Sequence, residues 1–131
     1  MCFDIMDEYY KKCIYKADND LKVAYNELNI NNSDKITDAI CFHCQQAIEK
    51  YLKAFLILNK IEFKKTHNLD FLLSMCINID KDFSILNIDD LSSYAVEIRY
   101  PDDFYIPSVK EAENAYKIAI NVKMFILNKL N

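Results

Sequence analysis

Apolar residues recur along most of this chain at intervals of three and four, the spacing that gathers them on one face of an α-helix. From about Asp7 to Leu28 the stripe is Tyr10, Cys13, Ile14, Ala17, Leu21, Ala24, Tyr25 and Leu28. Asn29 to Asp34 is a polar break, and Ser33 is placed to cap the helix that follows. That second helix is predicted from about Asp34 to Asn59, with a core stripe of Ile40, Cys44, Ala47, Ile48, Tyr51, Phe55 and Leu58. His43, Gln46, Lys50 and Lys53 form a polar stripe on it at the same spacing. Lys60 to Thr66 is a basic loop, and Thr66 is placed to cap a third helix carrying Leu69, Leu72, Leu73 and Cys76. Asp80 to Asn87 reads as irregular, and a short helix follows on Leu91, Tyr94, Ala95 and Ile98. Pro101 ends it, because proline disfavours helical geometry at the residue before it. Ser108 with Glu111 matches a capping box, and the last helix runs on Ala112, Ala115, Tyr116, Ala119, Val122 and Ile126. The prediction is an all-α fold, an antiparallel up-and-down bundle of four to five helices, in a single domain over residues 1–131.

Composition sharpens this picture. The chain has 131 residues and no glycine. Dinucleotide fingerprints and P-loops need glycine to turn tightly against phosphate, so both are excluded, as are Asn-Gly hairpins. A 52% hydrophobic content suffices for a core. The net charge of -4 gives no whole-protein attraction to nucleic acid or to an anionic membrane, and no DNA or membrane partner is expected. A local basic patch is compatible with that balance. The apolar runs are shorter than a bilayer span. Acids and lysines occur throughout Met1 to Asp20, unlike a secretion signal. Five cysteines, an odd number, read as reduced thiols in a cytoplasmic protein.

Four groups of residues could carry chemistry. Arg99 is the only arginine, at a predicted helix end, followed by Pro101, Asp102 and Asp103. A guanidinium binds phosphate in a planar, bidentate way; it can equally lock the turn by pairing with Asp102 or Asp103. His43, Gln46, Lys50 and Lys53 could line a groove for a polyanion, or form a solvated face on which Glu49 balances Lys53. Histidine is the side chain that can gain or lose a proton near neutral pH, so His67 could move a proton, or could support its loop through a backbone hydrogen bond. Cys41, His43 and Cys44 lack the second ligand pair of a zinc site, so neither a metal nor a cofactor is expected.

Gln46-Ala47-Ile48-Glu49-Lys50-Tyr51-Leu52-Lys53-Ala54, then His67-Asn68-Leu69, then Arg99-Tyr100-Pro101-Asp102 occur in that order. Together these segments resemble the HEPN domain, a small helical domain of higher eukaryotes and prokaryotes associated with nucleotide binding. The resemblance implies a helical bundle that commonly dimerises, in a prokaryotic chain encoded beside a small nucleotidyltransferase in toxin–antitoxin-like pairs. Catalytic members of the wider superfamily are metal-independent ribonucleases, which use an arginine followed after four to six residues by a histidine. In this chain those later positions hold Phe104, Tyr105 and Ile106, none of which transfers a proton as imidazole does. Arg99 matches the family's arginine; the catalytic histidine has no counterpart. The resemblance therefore implies a non-catalytic module for a nucleotide or RNA phosphate, a homodimer or partner of a nucleotidyltransferase. Arg99, Asp102, Asp103, Lys50, Lys53, Gln46, His43 and His67 would be its ligand-binding residues. The alternatives are a ribonuclease toxin with a rearranged site, in which His43 or His67 moves the proton, and a purely structural dimerisation subunit.

Overall fold

The computed structural model describes residues 2–89, 91–94 and 105–130. They form four α-helices: α1 (Cys2–Leu28), α2 (Thr37–Leu58), α3 (Leu69–Ile79) and α4 (Val109–Leu130). Short 3-10 turns lie at Asn32–Asp34, Lys81–Ile85 and Leu91–Tyr94. No strand occurs among the described residues. The all-α bundle expected from the periodicity is what forms.

α2 is the central helix, with α1, α3 and α4 all packed on it. Cys41, Cys44, Ala47, Ile48, Tyr51, Leu52 and Leu56 are fully buried, together with Ala17, Ala24, Leu69, Leu72, Ala115, Ala119 and Ile126. The amphipathic stripe read for α2 is too narrow: Gln45, Glu49, Leu52 and Leu56 are buried as well, because helices cover it on several sides. Asp18 of α1 meets Tyr51 while Glu27 meets Ile36, so α1 runs antiparallel to α2. Tyr10 and Ile14 lie near Leu127 and Leu130, and Tyr25 near Tyr116, so α1 is antiparallel to α4 as well. α2 and α4 consequently share a direction, and the chain makes its return between them after α3. Phe83, in the second 3-10 turn, plugs that return into the core against Phe55 at 4.5 Å and Phe125 at 4.8 Å between ring centroids. Lys129 of α4 pins its start by pairing with Asp80 and Asp82.

Several boundaries differ from the sequence reading. α1 begins at Cys2 rather than about Asp7. Ser33 lies inside the first 3-10 turn and caps nothing; α2 begins only at Thr37, where the Glu27 carboxylate accepts the Ile36 N–H at 3.1 Å. Asn68, not Thr66, caps α3 by accepting the Phe71 N–H, while Thr66 accepts the Asn68 N–H one turn earlier. Asp80–Asn87 is not irregular throughout, because burying Phe83 draws Lys81–Ile85 into a 3-10 turn. The expected short helix is a 3-10 turn over Leu91–Tyr94; Ala95 and Ile98 lie outside the described residues. The Ser108–Glu111 capping box forms as expected, Ser108 accepting the Glu111 N–H at 3.0 Å.

Candidate functional site

Two carboxylates organise the polar stripe of α2. Asp20 projects from α1, and its side chain is only 12% exposed. One of its oxygens accepts from His43 Nδ1 at 2.8 Å, and the other from Lys50 Nζ at 2.5 Å. Glu49, on α2 itself, is 4% exposed. It repeats the arrangement, with His67 Nδ1 at 2.8 Å on one oxygen and Lys53 Nζ at 2.9 Å on the other. Each carboxylate thus holds one imidazole and one ammonium. A carboxylate buried this deeply would be costly unpaired, and charge-assisted hydrogen bonds to both oxygens offset that cost.

The linker after α2 makes the second group possible. α2 ends in a Schellman turn, with the Lys60 N–H donating to the Ile57 carbonyl and the Ile61 N–H to Leu56. The chain then folds back along α2, Phe63 lying under Lys53 at 5.9 Å, until His67 stands beside Glu49. Gln45 fastens this return, its amide donating to the His67 carbonyl at 3.0 Å and to Glu49 at 3.4 Å. Gln46 in turn donates to Gln45. The His67 ring does not support its loop through a backbone hydrogen bond as expected; it is held by the Glu49 carboxylate, while its carbonyl accepts from Gln45.

The electrostatics follow from this geometry. Because a carboxylate only accepts, Nδ1 carries a proton in both imidazoles, and Nε2 is the nitrogen left for other partners. His67 is 56% exposed, and Lys64 and Lys65, earlier in the same linker, are exposed too. Lys50 and Lys53 have their charge balanced within the protein. The face is therefore not simply solvated: Glu49 does balance Lys53, but as a buried carboxylate.

Of the eight residues singled out in the sequence, His43 and Lys50 come together on Asp20, and His67 and Lys53 on Glu49. Gln46 joins through Gln45. Arg99, Asp102 and Asp103 lie outside the described residues. The ends of their segment are fixed on one carboxylate: the Tyr94 and Tyr105 hydroxyls both donate to Glu111, at 3.2 and 2.5 Å. The Tyr105 hydroxyl and the Ser108 N–H hold the Glu111 carboxyl below its usual range. Burial, and the hydrogen bond to Glu111, push the Tyr94 hydroxyl up.

Sequence reasoning missed Asp20, Gln45 and Asp18. Asp20 and Gln45 occupy core register positions, next to Leu21 and Cys44, and a polar residue at such a position was the available signal. Asp18 accepts from the buried Tyr51 hydroxyl at 2.5 Å and pairs with Lys123 at 3.3 Å. Burial and then this hydrogen bond raise the Tyr51 hydroxyl well above its ordinary value. Cys41 and Cys44 are buried thiols, Cys41 pushed up to about 12 and Cys44 further, both chiefly by desolvation. No cluster of metal-ligating side chains occurs among the described residues, and none of their helices is long and apolar enough to cross a membrane.

Fold and site together define a class, a small helical bundle with a histidine–carboxylate–lysine stripe along its central helix. The HEPN domain model matches residues 10–130, nearly the whole chain, and the chain belongs to that family. No curated protein and no solved structure matches it.

Proposed function

We propose that the chain is a non-catalytic module that holds the phosphate of a nucleotide or RNA at the α2–α3 end of its polar stripe. It would act in a toxin–antitoxin-like system, as a homodimer or beside a nucleotidyltransferase partner. The observation that carries this reading is the exposed His67 ring, oriented by a buried carboxylate, in a linker that also carries the exposed Lys64 and Lys65. With Nδ1 held by Glu49, the ring in its imidazolium form donates from Nε2 to a phosphate oxygen, and Arg99 would add a bidentate contact. The absence of the family's histidine after Arg99 supports binding without cleavage, since metal-free RNA cleavage needs both a base and an acid. The test is titration calorimetry with AMP, at low and at moderate salt. Binding that weakens with salt and is lost in Lys64→Ala/Lys65→Ala/His67→Ala is expected. No heat with the wild-type protein, or unchanged affinity in the variant, would refute the reading.

One observation favours a second reading, ribonuclease action with a rearranged site. Both imidazoles are oriented through Nδ1 by carboxylates, as a general base requires, and both keep Nε2 for a substrate proton. Incubation with RNA in EDTA separates the two. Intact RNA agrees with the binding module; cleavage lost in both His67→Ala and Arg99→Ala would replace it.

A further inference from the structure

Two histidines meet carboxylates in this fold, and only one of them is open to an incoming group. His43 is 24% exposed, and the Phe42 ring stands edge-on to it at 5.3 Å between centroids. His67 is more than half exposed, and among the described residues its ring is bonded to Glu49 alone. Its Nε2 therefore faces solvent with no partner from those residues.

An imidazole is a good nitrogen nucleophile when three conditions are met. Its proton sits on Nδ1, so that Nε2 keeps a lone pair; the ring is fixed; and a negative charge lies behind it to balance the positive charge that grows as a bond forms at Nε2. His67 meets all three. Glu49 accepts from Nδ1 at 2.8 Å, and its burial limits the screening of its charge by water. Lys53 on the other oxygen and the Gln45 amide hold that carboxylate in place. Gln45 also ties the backbone of His67 to α2 through the His67 carbonyl. The exposed Lys64 and Lys65 of the same linker favour an anionic group as the one received.

We propose that His67 is a covalent phosphoryl acceptor, taking the group onto Nε2 from a phosphoramidate or an acyl phosphate. The donor class follows from the product. A nitrogen–phosphorus bond on imidazole is labile, so only a donor whose own phosphoryl bond is comparably weak can fill it, and an ordinary phosphate ester cannot. In the step, the Nε2 lone pair forms the bond to phosphorus. The bond from phosphorus to the donor's nitrogen or oxygen breaks, and the leaving group departs with that electron pair, as an amine from the N-protonated phosphoramidate or as a carboxylate from the acyl phosphate. The Nδ1 proton stays on the ring against Glu49, so the phosphorylated ring carries the positive charge, and nothing is oxidised or reduced. This deepens the phosphate reading at His67 and rests on it.

The test incubates the full chain with phosphoramidate and, separately, with acetyl phosphate. Intact mass and peptide mapping in alkali locate the added group, and phosphorus NMR tells an Nε2 from an Nδ1 adduct. One phosphoryl group is expected on His67, at Nε2, lost in acid and gained about tenfold faster than on His43. Both histidines belong to the same native chain, so this comparison needs no variant to fold. Glu49→Gln should slow the transfer about tenfold and spread the product over both ring nitrogens, which a loss of stability alone would not do. His67→Ala should abolish it. Reaction with either donor supports the proposal and names the donor class. Equal labelling of the two histidines, an adduct at Nδ1, or an unchanged rate in Glu49→Gln would overturn it. Titration with AMP, a phosphate ester, separates the two readings. Binding of AMP with no transfer from either donor overturns the acceptor and leaves the phosphate site standing; neither binding nor transfer removes both.

Discussion

Asp20 and Glu49 carry more of the site than the cations that first draw notice, and the reason is burial. A lysine freed from its carboxylate can reach water along its own flexible stem, but Glu49 cannot leave the interface of α2 with the α3 linker. Substitutions on the two sides of each pair should therefore differ. Lys53→Met, which keeps the stem over Phe63 but leaves the Glu49 carboxylate buried with one charged partner fewer, should lower the unfolding free energy by about 3 kcal/mol. Glu49→Gln, which removes the buried charge and lets Lys53 reach water, should cost about 1 kcal/mol. Urea unfolding followed by circular dichroism measures both, and equal losses would show that the asymmetry argued here is wrong. The thiols give a second expectation at this scale. Cys41, Cys44 and Cys76 are buried, with Cys41 and Cys76 pushed up to about 12 by desolvation, so almost no thiolate exists near neutral pH. Iodoacetamide followed by peptide mass mapping should label these three only after unfolding. Rapid labelling of the native protein at any of them would contradict the packing.

Among the elements, the turn after α2 shows how a chain without glycine closes a helix. Lys60 takes the left-handed conformation, φ 60°, at the position of a Schellman turn where glycine is the usual residue. Lys60→Gly should therefore stabilise the protein by about 1 kcal/mol, read as a higher urea midpoint with unchanged slope. At the start of α4, Ser108→Ala removes one arm of the capping box and should cost about 1 kcal/mol. Most of this layer was legible in the sequence. Periodicity located all four α-helices, because Ala47, Ile48, Tyr51 and Phe55 repeat at the helical spacing whatever packs on them. The Ser108–Glu111 box was readable because both of its partners are local. The start of α2 was not, because Ser33 has the right chemistry while the group that accepts the Ile36 N–H is Glu27, on another helix. The cap of α3 was misread between Thr66 and Asn68, two residues with the same capacity, and only the backbone path decides between them.

At the scale of the whole molecule, what the sequence concealed is what depends on contacts between helices. His43, Lys50, Lys53 and His67 could be singled out from residue type and spacing. That they divide into two groups on Asp20 and Glu49 could not, since one carboxylate comes from α1 and one histidine from beyond a linker that doubles back. The same holds for Tyr25 of α1, which looks like a core residue on a helical wheel yet is 55% exposed. It is left at the surface because α1 and α4 both lean on α2 rather than on each other. Family membership, the oriented His67 ring and the exposed lysines of its linker support one account, a helical module that receives phosphate without cleaving it. That account is tested most directly by histidine NMR. The chain has only two histidines, so long-range 1H–15N spectra resolve both rings, and His43→Gln assigns them. The account predicts both rings as Nδ1–H tautomers at high pH, and a saturable shift of the His67 Nε2 signal on titration with AMP, with His43 moving less. An unmoved His67 signal at millimolar nucleotide, or an Nε2–H tautomer at His67, would contradict it.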